Sequence, residues 1–293
     1  MRLAVIIPTF GRKALLHRVL TFLEGQTRLP DEVIVTAPDD THVEQRNAAA
    51  FPLSWVFGGK GLCSQRNKAL EQALSRSDVI TFFDDDFLPA ADYLATVARG
   101  FLDHPDWAVV RGDAVVDGAN SAGLTFADGL AALRGAERRR ALNPVAPHVS
   151  EQTGGYGCNM SIRTSVVGDV RFDERLPLYG WQEDIDFTAQ LKSRGKVVGL
   201  NTLYGVHLGV KSGRVSGVRL GYSQLVNPVY LVRKGTLPSR FAFNLVWRNI
   251  AANVVKSFWP EPYIDRRGRL KGNALAAFHL ARGKIEPEHI LKL

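Results

Sequence analysis

The sequence predicts an α/β fold in which a mainly parallel sheet carries helices on its faces. Short β-branched runs bounded by turn residues alternate with stretches of helical apolar spacing over about the first ninety residues. Alternation of strand and helix is typical of parallel sheets. Ligands bind such sheets at the carboxyl ends of the strands, so polar residues that follow a strand are the first candidates for a site.

Each predicted element follows from a local pattern. Buried strands are predicted where apolar, β-branched runs occur, at residues 3–7, 33–36, 55–57 and 79–83. Helices are predicted where apolar residues recur at helical spacing, at residues 12–24, 64–74 and 185–194. Further strands are predicted at residues 197–200 and 203–206. Residues 117–150, rich in Gly, Asn and Pro, are predicted to form a loop or flap.

Positive charge is concentrated at the C-terminal end of the chain. The formal net charge is +8, and residues 219–293 carry 13 Lys and Arg against four Asp and Glu. That segment therefore has a net charge of +9, which leaves −1 for residues 1–218. We predict a nearly neutral main domain followed by a mostly helical, basic C-terminal extension. Such segments are typical of contact with nucleic acid, anionic lipid or acidic substrates.

The composition favours a cytoplasmic protein. No uninterrupted apolar stretch approaches the roughly 20 residues that a membrane-spanning helix requires. The apolar run at residues 3–7 is too short for a signal peptide. Cys63 and Cys158 form neither a Cys-x-x-Cys pair nor a zinc spacing, so we expect two buried thiols in a reducing compartment.

Three consecutive carboxylates, Asp84, Asp85 and Asp86, follow the fourth predicted strand. Like charges this close raise one another's pKa, so a cation is the simplest means of keeping all three ionised. Carboxylate oxygens favour Mg²⁺ or Mn²⁺ over zinc. Alternation along an extended chain places Asp84 and Asp86 on one side. The alternative is an acidic turn that caps the following helix, with Pro89 and Ala90 in its first turn.

Two other segments after strands offer groups for anions. Residues 6–12 end the first strand with free amides and the cation of Arg12. The glycine-rich residues 58–61 precede a helix that carries Arg66 and Asn67, whose donors suit a phosphate or a base edge. The Gly-Lys-Ser/Thr order of a P-loop is missing, which excludes that motif. Each segment alone also fits an ordinary turn or a loop beside a solvated arginine.

An aromatic loop leads into paired carboxylates at residues 178–187. Tyr179 and Trp181 precede Glu183 and Asp184, which stand at the predicted start of a helix. The two carboxylates fit either a helix cap or a general base beneath an aromatic wall.

A histidine and two cations follow the last predicted strand. His207 at that strand end fits a third metal ligand, although a lone histidine is usually structural. The basic residues 209–217 after it contain Lys211 and Arg214, which we expect to close over an anionic ligand as a flap.

In this order the motifs resemble those of the family 2 glycosyltransferases of GT-A fold, over most of residues 1–217. Residues 7–12 are similar to the family's Ile-Pro-Thr-Tyr-Asn-Arg start, and residues 64–67 to its Ala-Arg-Asn helix. Residues 84–86 resemble its Asp-x-Asp signature. Residues 181–184 resemble its acceptor motif, in which a tryptophan precedes Glu-Asp. Some members of the fold also supply a metal-binding histidine where His207 falls.

The resemblance implies an inverting glycosyltransferase that moves a sugar from a nucleoside-diphosphate donor to a hydroxyl group. The implied acceptor is a glycan or lipid-linked glycan in bacterial-type surface polysaccharide assembly. A UDP-sugar is the expected donor, with a dTDP-sugar as the alternative. Mn²⁺ or Mg²⁺ is the implied cofactor, bound by Asp84, Asp86 and His207. Asp184, aided by Glu183, is implied as the base that deprotonates the acceptor.

The resemblance also divides residues 1–218 into a nucleotide-sugar half at about residues 1–110 and an acceptor half at about residues 111–218. Acceptor contact is implied for Tyr179 and Trp181. Donor contact is implied for a larger set, namely Pro8, Thr9, Arg12, Asp39, Gly61, Arg66, Asn67, Asp84, Asp85, Lys211 and Arg214.

One departure from the family pattern concerns the nucleotide base. The family usually places an aspartate directly after the second strand to read the base, whereas here Thr36-Ala37-Pro38 intervene before Asp39. Either Asp39 takes that role from a shifted loop or the base is read differently.

The basic extension contains an amphipathic pattern at residues 241–259, which predicts a helix that ends at Pro260. A basic run at residues 266–271 follows it. The helix fits packing on the catalytic domain, with the basic run as a solvated loop. The alternative is peripheral docking on an anionic membrane, at the inner face for a cytoplasmic protein.

Two other functions fit part of the pattern. A metal-dependent sugar nucleotidyltransferase also uses paired aspartates in an α/β sheet, but it does not need the motif at residues 181–184. A basic nucleic-acid-binding protein would carry its charge across a folded binding face. Because residues 1–218 are nearly neutral, no nucleic-acid partner is expected.

Overall fold

The computed structural model describes residues 1–45, 49–212 and 215–293. Over these ranges the chain forms one nine-stranded sheet, with spatial order β3-β2-β1-β4-β8-β6-β9-β5 and β7 paired to β9. The strands are β1 (Leu3–Pro8), β2 (Glu32–Ala37), β3 (Leu53–Phe57), β4 (Val79–Phe82), β5 (Phe87–Pro89), β6 (Trp107–Asp117), β7 (Val149–Glu151), β8 (Met160–Arg163) and β9 (Lys196–His207). Parallel pairs join β1 to β2 and β4, β2 to β3, and β6 to β9. Because β8 is antiparallel to both β4 and β6, those two strands share one direction. The predicted mainly parallel α/β fold is confirmed.

Helices cover both faces of the sheet and form the C-terminal end of the chain. In the described ranges they are α1 (Lys13–Leu23), α2 (Leu62–Ala73), α3 (Tyr93–Asp103), α4 (Phe126–Leu142), α5 (Glu183–Leu191), α6 (Gly217–Lys234), α7 (Ser239–Lys256) and α8 (Arg266–Ala281). The predicted helical character of the extension is confirmed by α6, α7 and α8. Within the described part of the chain, no helix has both the length and the apolar character needed to cross a membrane.

Strand β1 shows why the sheet strands are apolar on both sides. Leu3, Val5 and Ile7 belong to one core cluster, which also contains residues of α1 and α3. Ala4 and Ile6 belong to a second cluster, which contains residues of α2 and α5. Successive side chains of a strand point to opposite faces, so a strand between two helix layers must be apolar at every position.

Three sequence-based expectations about elements are wrong. Residues 117–150 hold the 17-residue helix α4, where a loop or flap was expected. Thr125 caps that helix by accepting a hydrogen bond from the amide of Asp128. Its buried face includes Gly129 and Ala136 as well as Leu133, so small residues conceal the apolar period. Residues 197–206 lie in the single strand β9, and residues 266–271 begin α8 rather than a solvated loop.

The segment after the three aspartates does not begin the helix that the capping alternative predicted. Residues 87–89 form the short strand β5, antiparallel to β9, and α3 begins only at Tyr93. Asp84, Asp85 and Asp86 therefore lie between two strands, and the interpretation that they cap a helix is wrong.

Helices α6 and α8 pack at very short range. A Cβ atom placed on Gly221 would lie 2.0 Å from the carbonyl oxygen of Arg269, and one placed on Gly272 would lie 2.1 Å from that of Val218. Asn273 donates a hydrogen bond to the carbonyl of Gly221 (2.7 Å). The absence of side chains at both glycines allows the two backbones to meet.

Candidate active site and metal centre

The polar residues gather where several strands end. Asp84 to Asp86 follow β4, Asp117 ends β6 and His207 ends β9. Because β6 and β9 are parallel and in register at Asp117 and His207, their last residues lie side by side. The site lies at the carboxyl ends of the parallel strands, where ligands of α/β proteins bind.

Asp84, Asp86 and His207 form a group suited to a cation. One ligand atom from each residue lies within 4.8 Å of the other two. The ring Nε2 of His207 is 3.3 Å from a carboxylate oxygen of Asp86. Two carboxylates and one imidazole suit a divalent ion such as Mn²⁺ or Mg²⁺, although imidazole also suits zinc. Asp85 points elsewhere, towards Thr9 and Arg12, because the turn between β4 and β5 directs it away from this group.

Asp117 fixes the orientation of the His207 ring through the nitrogen that faces away from Asp86. Its Nδ1 lies 2.9 Å from Asp117, which also accepts a hydrogen bond from the hydroxyl of Tyr156 (2.7 Å). A carboxylate that holds one ring nitrogen fixes the tautomer and directs the other nitrogen towards the metal. Burial favours the neutral ring, but Asp117 and Asp86 outweigh it and raise the pKa of His207 to about 10. Burial acts to raise the pKa of Asp117, but hydrogen bonds from His207, Tyr156 and the amide of Ala119 outweigh it and hold that pKa well below its usual range.

Asp86 is buried but well supplied with donors. Burial acts to raise its pKa, but His207, Arg12 and the amide of Val210 outweigh burial and hold the pKa below its usual value. The amide of Val210 donates to Asp86 at 2.8 Å, and Arg12 lies 3.4 Å away.

Asp85 connects the first strand to the aspartates. It accepts hydrogen bonds from the hydroxyl of Thr9 (2.6 Å) and from the guanidinium of Arg12 (2.7 Å). Burial raises the pKa of Asp85 to about 6, although Arg12 opposes the shift. Asp85 thus holds the end of β1, which includes Pro8, against the aspartate segment. Its predicted donor contact stays a prediction.

Two of the cations expected at the donor hold the loop after β9 in place. Arg12 donates to the carbonyls of Val210 (3.1 Å) and Ser212 (2.8 Å). The ammonium of Lys211 donates to the carbonyls of Gly118 and Ala119. This loop therefore lies closed over the end of β6. Arg214, the second cation of the expected flap, lies outside the described residues.

Arg66 joins the two halves of the site. Its guanidinium is fully buried and donates to Glu183 (2.8 Å), to Asp84 (3.3 Å) and to the carbonyl of Gly157 (2.8 Å). The rings of Phe82 and Phe172 lie near the guanidinium. Arg66 thus couples the metal-ligand candidate Asp84 to the carboxylate pair, and its predicted donor contact stays a prediction.

Asn67 and Gly61 have structural contacts. Asn67 exchanges hydrogen bonds with the backbone of Phe172 and donates to Glu174, so its amide fixes that segment. Gly61 has a φ of 110° at the start of α2, where an added Cβ would lie 2.9 Å from the amide nitrogen of Leu178. Gly61 therefore allows the glycine-rich loop to approach the aromatic loop. Neither contact tests the predicted donor role.

Glu183 and Asp184 begin α5 with different surroundings. Glu183 is buried against Arg66, and burial together with the charge of Asp184 raises its pKa to about 8. Asp184 is partly buried and accepts hydrogen bonds from the amides of Gly157 (2.9 Å) and Ile185 (2.8 Å). Burial raises the pKa of Asp184, which brings its proton affinity closer to that of a general base.

The aromatic loop is backbone-strained at both ends. Leu178 and Gln182 have positive φ angles of 60° and 80°, a conformation that costs non-glycine residues free energy and that often marks a functional site. Between them, Tyr179 is half exposed. The carbonyl of Trp181 accepts a hydrogen bond from Asn227 of α6 (2.9 Å). The loop thus presents an aromatic side chain beside Glu183 and Asp184.

Helix α6 also anchors the carboxylate helix α5. Lys234 donates to Asp186 of α5 and to Asp173, at 2.7 Å each. Thr236 donates to the other oxygen of Asp186 (2.6 Å). The basic extension is therefore part of the support of the candidate site.

An aromatic pair joins the segments that follow β1 and β2, with Phe10 exposed and His42 partly buried. Phe10 stacks on His42 with ring centroids 4.5 Å apart. The exposed Asp39 caps the short helical turn Asp40–His42 by accepting hydrogen bonds from Thr41. Asp39 is thus placed beside the aromatic pair, and its role in reading a base stays a prediction.

Sequence reasoning missed Asp117, Tyr156 and Asn227. Asp117 was assigned to the start of a loop, although it ends a strand, as His207 does. A polar residue at a strand end was the signal that could have found Asp117. Tyr156 and Asn227 reach the site only through tertiary packing, so no local pattern marks them.

The family model described as glycosyl transferase family 2 matches residues 4–161, which is more than half of the chain. No curated protein matches the sequence significantly.

Several solved structures of low sequence identity are similar to this chain. The match to a 1–349 fragment of S. aureus TarS has a TM-score of 0.50 at 17% identity and covers 97% of this chain and 92% of the fragment. The match to a longer S. aureus TarS chain has a TM-score of 0.49 at 18% identity and covers 78% of this chain but only 40% of that one. A Pyrobaculum calidifontis mannosyltransferase, PcManGT, in complex with GDP-Man and Mn²⁺ matches with a TM-score of 0.49 at 16% identity, covering 99% of this chain and 78% of that chain.

Proposed function

Because the chain belongs to glycosyl transferase family 2, we propose that it transfers a sugar from a nucleoside-diphosphate donor to an acceptor hydroxyl group with inversion. The observation that carries this proposal is the convergence of Asp84, Asp86 and His207 on one side of Arg66, with Glu183 on its other side. Family membership favours glycosyl transfer over a nucleotidyltransferase or a nucleic-acid-binding protein.

In this proposal the donor diphosphate lies against Asp84, Asp86 and His207. A divalent cation held there would neutralise the negative charge that grows on the diphosphate as the sugar leaves. Asp117 keeps Nδ1 of His207 occupied and so leaves Nε2 for the ligand role. Arg12 and Lys211 hold the loop after β9 over this region, which limits access of water.

Asp184 is the proposed general base. The acceptor oxygen forms a bond to the anomeric carbon while the bond from that carbon to the diphosphate oxygen breaks, and the hydroxyl proton passes to the Asp184 carboxylate. Glu183, held by Arg66, keeps the start of α5 in place. Tyr179 and Trp181 form the proposed acceptor wall. The proposed acceptor is a glycan or lipid-linked glycan of bacterial-type surface polysaccharides, and the buried free thiols Cys63 and Cys158 fit a reducing cytoplasm.

A panel of nucleotide sugars tests this function directly. We expect one donor to raise the midpoint of thermal unfolding by several degrees, and only with Mn²⁺ or Mg²⁺ present, because a ligand at about 100 times its Kd stabilises the folded state by about 2.7 kcal/mol. UDP-sugars come first, since UDP occupies one of the TarS complexes of similar fold, and dTDP- and GDP-sugars follow. The stabilising donor should then release its nucleotide when a glycan acceptor is added. A panel in which every donor leaves the midpoint unchanged would contradict the proposal.

Replacement of Asp117 by asparagine should weaken Mn²⁺ binding. Asparagine keeps one acceptor oxygen but carries no charge, so the contact with Nδ1 of His207 is weakened, and disruption of such an outer contact typically costs about 10- to 100-fold in metal affinity. Titration of Mn²⁺ followed by electron paramagnetic resonance measures this affinity without catalysis.

Two variants serve as controls for that titration. Tyr156→Phe removes only one hydrogen bond to Asp117 and should have a smaller effect. Asp113→Asn alters an exposed carboxylate of the same strand and should have none. Unchanged Mn²⁺ affinity in Asp117→Asn would remove Asp117 from this positioning role.

A further inference from the structure

We propose that one face of the C-terminal extension docks on a membrane surface that contains anionic lipids. This α7 face consists of Phe243, Trp247 and Val254 on α7, with Phe258 and Trp259 in the turn that follows. Large apolar side chains are rarely this exposed together on a monomeric protein: Trp247 is 63% exposed, Phe258 71% and Trp259 83%. The proposal deepens the proposed function because it names the surface on which a lipid-linked acceptor would be met.

The face lies apart from the side of α7 that packs on the rest of the chain. Ala242 and Asn253 are the buried residues of α7. Asn253 donates hydrogen bonds to Gln224 of α6 and Asn273 of α8. Helical spacing places residues 243, 247 and 254 within one stripe turned away from that buried side. The aromatic residues are exposed while a polar network fixes a neighbouring side of the helix, about a third of a turn away, in the core.

The charge of α7 matches an anionic surface. The helix contains Arg240, Arg248 and Lys256 and no acidic residue, and both arginines are exposed. Glu261 pairs with Lys256 as well as with Arg266, and Asp265 caps α8, so the α7 cations that no described acidic side chain pairs with are Arg240 and Arg248. Exposed tryptophans beside uncompensated cations are the combination that binds at the boundary of lipid headgroups and acyl chains.

A second copy of the chain fits this face less well. A two-fold interface brings the same patch of each copy together. Arg240 and Arg248 of each copy would then meet arginines of like charge, which disfavours association. Anionic lipid instead complements both the aromatic residues and the cations.

The α7 face is connected to the candidate active site. Tyr263, which follows Trp259 by four residues, has its ring 5.7 Å from the ammonium of Lys211. Lys211 in turn donates to the carbonyls of Gly118 and Ala119, beside the end of β6. Docking through the face would therefore bring the site close to the membrane surface.

Flotation of the full chain with vesicles tests the proposal. We expect binding to vesicles of phosphatidylcholine with phosphatidylglycerol, weak binding to phosphatidylcholine alone, and a decline as salt screens the charges. Trp247→Ser with Trp259→Ser should abolish binding. Arg240→Ala with Arg248→Ala should weaken it roughly 25-fold, since each basic residue near an anionic surface changes affinity about fivefold. Leu102→Ser with Leu142→Ser removes equally exposed apolar groups from α3 and α4 and should leave binding unchanged.

Three outcomes would overturn the docking surface: absence of vesicle binding, equal loss in the leucine control, or tryptophan-dependent dimerisation by light scattering without lipid. Because the altered side chains are exposed, we expect each variant to unfold at the same midpoint temperature as the parent chain. An unchanged midpoint excludes misfolding as the cause of lost binding. The proposed function is judged separately on a water-soluble acceptor, with which the tryptophan variant should keep its turnover. If the chain binds vesicles but transfers no sugar, the docking surface is supported and the proposed function is contradicted.

Discussion

Asp184→Asn should lower turnover about 10²- to 10⁴-fold while donor binding is retained, because general base catalysis contributes about that factor. Asparagine preserves the size of the side chain and one acceptor for the amides of Gly157 and Ile185, but it cannot take the proton of the acceptor hydroxyl. Initial rates at saturating donor and acceptor, together with calorimetric titration of the donor, separate these two effects.

The pH dependence of the rate provides an independent check on Asp184. A general base works when deprotonated, so kcat/KM should rise with pH through the pKa of Asp184, which burial places above the usual carboxylate value. The asparagine variant should lose that rise. Asp173→Asn is a useful comparison, because Asp173 binds Lys234 near α5 yet lies outside the proposed reaction path. Full turnover in Asp184→Asn would assign the base elsewhere.

Asp86→Ala should abolish metal-dependent donor binding. Asp86 is the buried member of the proposed ligand set, and it also orders the amide of Val210 and lies beside Arg12. Loss of a direct ligand should cost more than the roughly 10- to 100-fold that outer contacts contribute to metal affinity. Calorimetric titration of the donor nucleotide with and without Mn²⁺, and again with Mg²⁺, measures the loss.

The neighbouring Asp85 makes a matched comparison for Asp86. Asp85→Asn removes a buried charge one residue away, where the side chain faces Thr9 and Arg12 instead of the metal-ligand group. We expect it to lower stability and to retain a measurable Mn²⁺ response. If Asp86→Ala binds donor and Mn²⁺ as tightly as the parent chain, the metal assignment is wrong.

The features that local patterns encode were predictable from sequence. The strands of the parallel half are mainly apolar, and β1 and β4 are buried at every position, because helices cover both faces; that composition is visible in the sequence. Asp84 and Asp86 share a group with His207 from which Asp85 is absent, although these residues lie in a turn between β4 and β5 and not in an extended strand. His207 was found because it ends an apolar run.

The features that depend on distant partners were not predictable in the same way. Arg66 resembles a solvated phosphate ligand in sequence, but Glu183, its partner, is 117 residues away along the chain. The contact of Asp117 with His207 spans 90 residues and exists only because β6 and β9 pair in register. Helix α4 was missed because glycine and alanine form much of its buried face, and these residues give a weak apolar period.

The contacts of α6 with α5 and with the aromatic loop imply that acceptor preference depends on the C-terminal helices as well as on the sheet. Asn227 fixes the backbone of Trp181, and Lys234 fixes Asp186 two residues after the carboxylate pair. Exchange of the C-terminal helices between relatives would therefore reshape the proposed acceptor wall without altering a residue of the sheet. Conversely, a fragment trimmed to the family-matched residues 4–161 would lack α5, His207 and this support. The shortest fragment of this chain that we expect to be active therefore includes part of the helical extension.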